Sequence, residues 1–279
     1  MQNKIYPCLW FDGNAKEAAE FYTSVFEDSR ITVESPLVVT FEAAGQKFMC
    51  LNGGPHFTMN PSISFFIVCE TEEETDRIWH SLSKSGYALM PLDKYDWSPK
   101  YGWVQDRFGV SWQVSWGKLK DVGQKYTPAF LFTREQNGNA EKAIRFYTSI
   151  FENSDIIGIM RYTKEQGEVE GNIAHAQFRL NGQVFMAMDS SLDHKFGFNE
   201  GISLVIDCEN QEQIDYYWNK LTQGGEESQC GWLKDQFGVS WQVVPTILEE
   251  LMNDPARSQR VMDAFMQMKK FDIERLVEA

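Results

Sequence analysis

Positive charge is scarce in this sequence. Against 26 Lys and Arg stand 40 Asp and Glu, a net charge of −14. So acidic a surface repels phosphate backbones and anionic lipid, so neither nucleic acid nor a membrane is an expected partner. Cysteine is also sparse. Cys8, Cys50, Cys69, Cys208 and Cys230 are odd in number, widely spaced and form no C-x-x-C, which excludes a disulfide framework and a zinc ribbon. They read as small buried hydrophobes in a reducing compartment. No run approaches 18 apolar residues, and residues 1–12 hold one Lys and no apolar core. Neither a membrane span nor a signal peptide is expected, and the cytoplasm is the default location. A Gly-rich turn leading from strand to helix is missing too: Gly53-Gly54 runs into Pro55-His56, so a nucleotide-type cofactor is not expected.

The sequence does contain a duplication. Residues 13–31 (GNAKEAAEFYTSVFEDSRI) and 138–156 (GNAEKAIRFYTSIFENSDI) share twelve of nineteen positions. GWVQDRFGVSWQV from Gly102 recurs as GWLKDQFGVSWQV from Gly231, and further matches fall between in the same order. Two long units of this kind are duplicated domains, not a solenoid. The composition, 43% hydrophobic and 14% aromatic, supplies a core for each. The expected division is 1–120, 121–245 and a tail 246–279, with the boundary in the polar stretch 117–125.

Each copy reads as β-α-β-β-β twice. First strands are expected at Tyr6–Phe11 and Pro128–Phe132, with the prolines at their starts. Helices follow at Ala15–Phe26 and Ala140–Phe151, with apolar positions at i, i+3, i+4 and i+7, N-capped by Asn14 and Asn139. Asn181-Gly182 predicts a two-residue hairpin. Strands at Ile63–Cys69 and Ile202–Cys208 precede helices at Glu72–Leu82 and Gln211–Leu221. The first copy adds a loop, Leu92–Lys100, placed to close a cup. The tail predicts helices at Ile247–Met252 and Arg257–Met268, with Pro255 in the first turn of the second.

The runs LWFDGNAKEAAEFYTSVF, GQKFMCLNGGPHF, ISFFIVCETEEETDRIW and GWLKDQFGVSWQVVP resemble the PhnB-like family, which carries the label 3-demethylubiquinone-9 3-methyltransferase. That family lies within the vicinal oxygen chelate superfamily of glyoxalases, bleomycin-resistance proteins and extradiol dioxygenases. The resemblance implies an α+β fold of two tandem glyoxalase-like domains. Each would pair two βαβββ units into a β-cup with outer helices, and the helical tail would follow.

Strand alternation predicts which side chains face the cup. Leu180 and Gln183 lie opposite each other across the hairpin. Ala176, Phe178, Leu180, Phe185 and Ala187 then pack on helices, while His175, Gln177, Arg179, Val184, Met186 and Met188 face the cup. The matching first-copy positions include Thr40 and Met49. On the last strands Ser111, Gln113 and Ser115 face inward, as do Ser240, Gln242 and Val244. Expected ligand-binding residues are therefore His175, Gln177, Met186, Met188, Ser203, Gln242 and His194, with Thr40, Met49, Ser64, Gln113 and His56 in the first copy. Asp106 and Asp235 read as turn residues, and Trp112 and Trp241 as core.

The resemblance also implies four metal-ligand positions. In this sequence they fall on Tyr6 or Pro7 and Thr127 or Pro128, on Ser64 and Ser203, near Met49 and Met186, and on Gln113 and Gln242. No anion falls there, and neutral amides hold hard cations poorly. The expected reading is a binder of a small, largely apolar molecule with no metal or other cofactor. The alternative is a metal-dependent lyase, isomerase or dioxygenase of the superfamily, drawing on His175, His194, Gln242, Asp189 and Asp193. A third possibility is that the first copy is only structural. A homodimer through the cups or the C-terminal helices is compatible with all three.

Overall fold

The fold was analysed in a computed structural model that describes residues 5–279. Met1–Lys4, where the leader reading begins, lie outside the described residues. The described chain divides into two compact units, Pro7–Ile202 and Ser203–Ala279, the second together with Ile5 and Tyr6.

The larger unit runs β1 (Ile5–Phe11, shared at its start), α1 (Ala15–Val25), β2 (Ser29–Glu34), β3 (Val38–Ala43), β4 (Gln46–Asn52), β5 (Ile63–Cys69) and α2 (Glu72–Ser83). It continues with β6 (Tyr87–Tyr95), β7 (Ser98–Gln105), β8 (Ser111–Trp116), α3 (Leu119–Val122), β9 (Tyr126–Phe132), α4 (Ala140–Ile150), β10 (Asp155–Arg161), β11 (Ile173–Leu180) and β12 (Gln183–Asp189). Its main sheet has eight strands in the order β10-β11-β12-β9-β5-β8-β7-β6. Two four-stranded halves of the same β-α-β-β-β plan meet where β5 and β9 pair antiparallel, Ser64 opposite Ala129 and Phe66 opposite Thr127. This sheet therefore draws on both sequence copies. A second quartet, β1-β4-β3-β2, repeats the plan, with Cys8–Phe11 parallel to Met49–Asn52.

The smaller unit holds β13 (Ile202–Cys208), α5 (Gln211–Leu221), β14 (Glu226–Glu227), β15 (Trp232–Lys234), β16 (Ser240–Pro245), α6 (Ile247–Asn253), α7 (Ser258–Phe265) and α8 (Ile273–Glu278). β13 runs parallel to β16, Ser203 opposite Ser240.

The apolar spacing of the helices is realised. Ala140, Ala143, Ile144, Tyr147 and Ile150 of α4 are buried. They meet the helix-facing side of the sheet, where Phe185 stacks with Phe130 and Phe178 (centroids 6.1 and 5.9 Å apart) and Tyr147 lies tilted against Phe130 at 6.3 Å. Asn181 and Gly182 both take positive φ, 50° and 78°, as a type I′ turn requires.

Three local expectations change. Asn14 and Asn139 make no side-chain cap bonds. The free N–H groups are met from a distant strand end instead: Ala15 N–H donates to Asn52 Oδ1 (2.9 Å), and Gly138 and Ala140 N–H donate to Asp189 Oδ1 (2.7 and 3.1 Å). The stretch 92–100 is not a loop but the tip of the β6–β7 hairpin, Tyr95 opposite Ser98, because its alternating residues extend both strands. In the tail, Pro255 stays in a turn and α7 begins at Ser258, while α8, capped by Asp272, is an extra helix that six residues were too short to announce. Among the described residues, no helix is long and apolar enough to cross a membrane.

Candidate ligand site

The sheet of the larger unit carries helices on one face. Strand alternation puts Ser64 and Phe66 of β5, Ser111, Gln113 and Ser115 of β8, and Tyr101 and Trp103 of β7 on the other. The strand ends are held by the Asp-x-Phe-Gly turn. Asp106 Oδ1 accepts from Phe108 and Val110 N–H (2.8 and 3.1 Å), and Oδ2 accepts from Trp112 Nε1 and the Tyr22 hydroxyl (2.7 and 2.8 Å). Trp112 is fully buried. One carboxylate thus clamps the turn, the core indole and α1, and sets the height at which Gln113 leaves β8.

At the middle of that face lies a buried chain of neutral groups. The Tyr101 hydroxyl donates to Gln113 Oε1 (2.8 Å), and Gln113 Nε2 donates to Ser64 Oγ (2.8 Å). Ser64 and Gln113 are 1% and 9% exposed. The Ser64 proton and the second Gln113 amide proton are not used in this chain, so the pair presents donors. Trp103 Nε1 is engaged by Ser111 Oγ (2.7 Å).

The wall beside it comes from β9, β11 and β12. Met186 lies opposite Gln177 on one side and Ala129 on the other, and Ala129 lies opposite Ser64. His175, half-buried on β11, shares the Gln177 face. Burial pushes its imidazole below the usual range, which favours the neutral ring. Gln177 Nε2 is taken by the Val122 carbonyl (2.8 Å), and Arg179 grips both oxygens of Asp155 (3.0 Å each), so neither is a free binding group. Met188 is half-buried one step beyond Met186 on the same face.

Of the residues expected from sequence, Ser64, Gln113, His175, Gln177, Met186 and Met188 therefore share one sheet. Thr40 and Met49 lie opposite each other in the β3–β4 quartet. His56 is exposed on the loop after β4, which is held by Phe57 packing on Trp10 (4.9 Å). His194 bonds to Ser190 Oγ (3.0 Å) in the loop after β12, and burial lowers its pKa despite the nearby Glu168 and Asp193. Glu168 ties that loop down through Ser190 Oγ and the N–H and hydroxyl of Ser191. Asp189 is a cap: besides Gly138 and Ala140 it accepts from Ile173 N–H (2.9 Å). Its carboxylate is fully used in structure, and burial raises its pKa.

Ser203 and Gln242 belong to the smaller unit and repeat the pair: Gln242 Nε2 donates to Ser203 Oγ (2.9 Å). That face also carries a carboxylate, away from the four ligand positions. Asp207 is two alternations on from Ser203, roughly 13 Å along β13, and its Oδ1 accepts from the Tyr6 hydroxyl (2.9 Å). Reading Ser203-Leu204-Val205-Ile206-Asp207 with period two would have found it. The same period through Tyr101-Gly102-Trp103 would have found Tyr101, the other residue missed.

The superfamily's divalent ion can be tested against these donors. In the larger unit, the four ligand positions carry Thr127, Ser64, Met186 and Gln113. Thr127 Oγ1 is sealed from solvent with no hydrogen-bond partner, Gln113 is committed to two neutral partners, and no carboxylate joins them. This set does not fit a hard cation. Among the described residues, no three His, Cys, Asp or Glu side chains converge in a way that could hold a metal ion.

The model of the family described as 3-demethylubiquinone-9 3-methyltransferase matches residues 3–115 and again 124–244. A PhnB protein from Bacillus cereus, described by the same activity, is 40% identical over 41% of this chain and 100% of its own, with a TM-score of 0.39. Glyoxalase I from Zea mays is 11% identical over 90% of this chain and 95% of its own, with a TM-score of 0.57. That likeness shows the fold alone, a glyoxalase-like arrangement over most of the chain. No curated protein matches the chain significantly.

Proposed function

This chain belongs to the 3-demethylubiquinone-9 3-methyltransferase, or PhnB-like, family of the vicinal oxygen chelate superfamily, and from that premise we propose that it binds a small neutral molecule on the helix-free face of its eight-stranded sheet, without a divalent metal. The observation that carries this reading is the buried chain from Tyr101 through Gln113 to Ser64, which offers hydrogen-bond donors and no anion. On the same face of the sheet lie Phe66, Met186, Met188 and the neutral ring of His175, side chains suited to an apolar or aromatic body. Methyl transfer is not part of this reading. Gly53 and Gly54, the glycine pair of the loop after β4, serve packing: a Cβ on Gly53 would lie 2.2 Å from the Trp10 indole, and Trp10 Nε1 donates to the Gly54 carbonyl (2.7 Å).

The test has two arms. Elemental analysis after purification without chelators is expected to find no stoichiometric divalent metal. One equivalent of Zn, Mn, Fe or Ni would move the protein among the superfamily's metal-dependent lyases, isomerases or dioxygenases. A thermal-shift screen of neutral aromatic and dicarbonyl compounds is expected to give a stabilising ligand whose effect is lost in Ser64→Ala. If no compound acts, or Ser64→Ala retains the full shift, the reading fails.

A further inference from the structure

An aromatic row runs from the surface to the polar chain just described, and only one sequence copy has it. At the tip of the β6–β7 hairpin, Trp97 is 66% exposed, although an indole of that size gains most by burial. Its ring stacks on Tyr95 (5.0 Å, 24°) and meets Tyr101 at 5.9 Å. Tyr95 in turn stands edge-on to Tyr101 (5.7 Å, 90°), and Tyr101 lies over Phe66 (6.5 Å, 29°). The Tyr101 hydroxyl ends the row on Gln113. The hairpin is braced from behind, since Lys100 bonds to Glu72 and Asp76 of α2 (2.9 and 2.6 Å). Tyr95 is held in place through its hydroxyl on the Pro91 carbonyl (2.9 Å).

In the second copy the counterpart of Tyr101 is Cys230. Its N–H donates to the Met268 carbonyl (2.7 Å), its sulfur lies 3.7 Å from Met266 Sδ, and the hairpin shrinks to Glu226–Glu227 and Trp232–Lys234. The tail there packs on the residue that stands where Tyr101 does in the first copy. The long aromatic hairpin is therefore not a requirement of the β-α-β-β-β plan.

We infer that the Trp97–Tyr95–Tyr101–Phe66 row is a specificity element that selects a planar aromatic ligand bearing a carbonyl oxygen, with the ring stacked against the row and the oxygen taken by the Ser64 and Gln113 donors. The inference rests on the ligand-site reading above. Ring faces and edges reward a flat π-system over an aliphatic one of equal size. The polar end offers protons, so it takes an acceptor, and a net charge of −14 disfavours an anion.

The test is isothermal titration of the full chain with 2-acetylnaphthalene, with 2-acetyldecalin as the non-planar ketone of equal size and 2-naphthoate as the anion. We expect 2-acetylnaphthalene to bind at least about tenfold more tightly than either control. We also expect Trp97→Ala to lose about fivefold or more, Trp97→Phe to restore most of that loss, and the melting temperature of both variants to stay near that of the parent. Absence of 2-acetylnaphthalene binding, or equal affinity for 2-acetyldecalin, overturns the inference. If binding is lost in Ser64→Ala but untouched in Trp97→Ala, the ligand site stands and the aromatic row is excluded from it. If Trp97→Ala changes only the sedimentation coefficient with concentration, the tip is a contact between copies of the chain and the inference fails.

Discussion

At the residue scale, the aspartates of the two Asp-x-Phe-Gly turns hold more than their turns. Asp106 accepts four hydrogen bonds, and Asp235 accepts from Phe237, Val239 and Trp241 in the same pattern. Burial raises the Asp106 pKa even though all four bonds favour its ionised form. Asp106→Ala would strand four donors, three of them buried, so we expect a loss of more than about 3 kcal/mol in urea unfolding, against about 1 kcal/mol for Tyr22→Phe. His175 makes a pH prediction. Burial holds its folded pKa below the unfolded value of about 6.5, so below that pH the unfolded chain binds more protons. Stability is therefore complete above about pH 6.5 and declines as the pH falls toward the folded pKa. We expect the urea midpoint to drop between pH 7 and 5.5, and to drop less in His175→Gln. His194, shifted in the same direction, supplies a remaining slope.

At the element scale, the two long helices of the repeat are capped from outside their own sequence. Asn14 and Asn139 sit at the right positions, and a local reading assigns them the caps. The tertiary fold instead brings Asn52 and Asp189, corresponding residues at the ends of β4 and β12, to the free N–H groups. Asn139→Ala is thus expected to cost under about 0.5 kcal/mol, below the usual value of about 1 for a lost cap. Asp189→Ala removes a buried carboxylate from three backbone donors, and we expect it to cost about 3 kcal/mol, read from denaturant midpoints of the two variants side by side. Glycine matters at one element contact in particular. A Cβ at Gly102 of β7 would lie 2.4 Å from the Trp79 ring on α2, so the helix reaches the sheet only because that position has no side chain.

For the molecule as a whole, the C-terminal segment is part of the smaller unit's core. Leu251, Val261, Met268, Phe271 and Leu276 are buried, and Cys230 and Gly231 N–H donate to the Met268 and Lys269 carbonyls (2.7 Å each). Phe271→Ala is expected to cost about 3–4 kcal/mol, and a chain ending at Pro245 to melt well below the parent in a calorimetric scan. This role was only half legible in the sequence. The apolar stripe of α7 showed that something would be packed, but nothing in it showed that the partner would be the turn at Gly231.

The duplication, the order of strands and helices, the hairpin at Asn181-Gly182 and the faces of β8, β11 and β12 were all written in the sequence by itself, because each follows from side-chain periodicity or local turn chemistry. Four residues of the helix-free face, Ser64, Gln113, Met186 and His175, were assigned to it in that way. Their grouping was decided by tertiary structure alone. Two copies with the same alternation present the same strand edges, so no local rule chooses which half of one copy pairs with which half of the other. The antiparallel match of β5 with β9 makes that choice, setting His175 and Met186 on the sheet of Ser64 and Gln113 while Ser203 and Gln242 stay in the smaller unit. The bonding of Tyr101 to Gln113 is likewise a long-range outcome, because a side chain's partner across a sheet depends on register, which the strand's own residues do not encode.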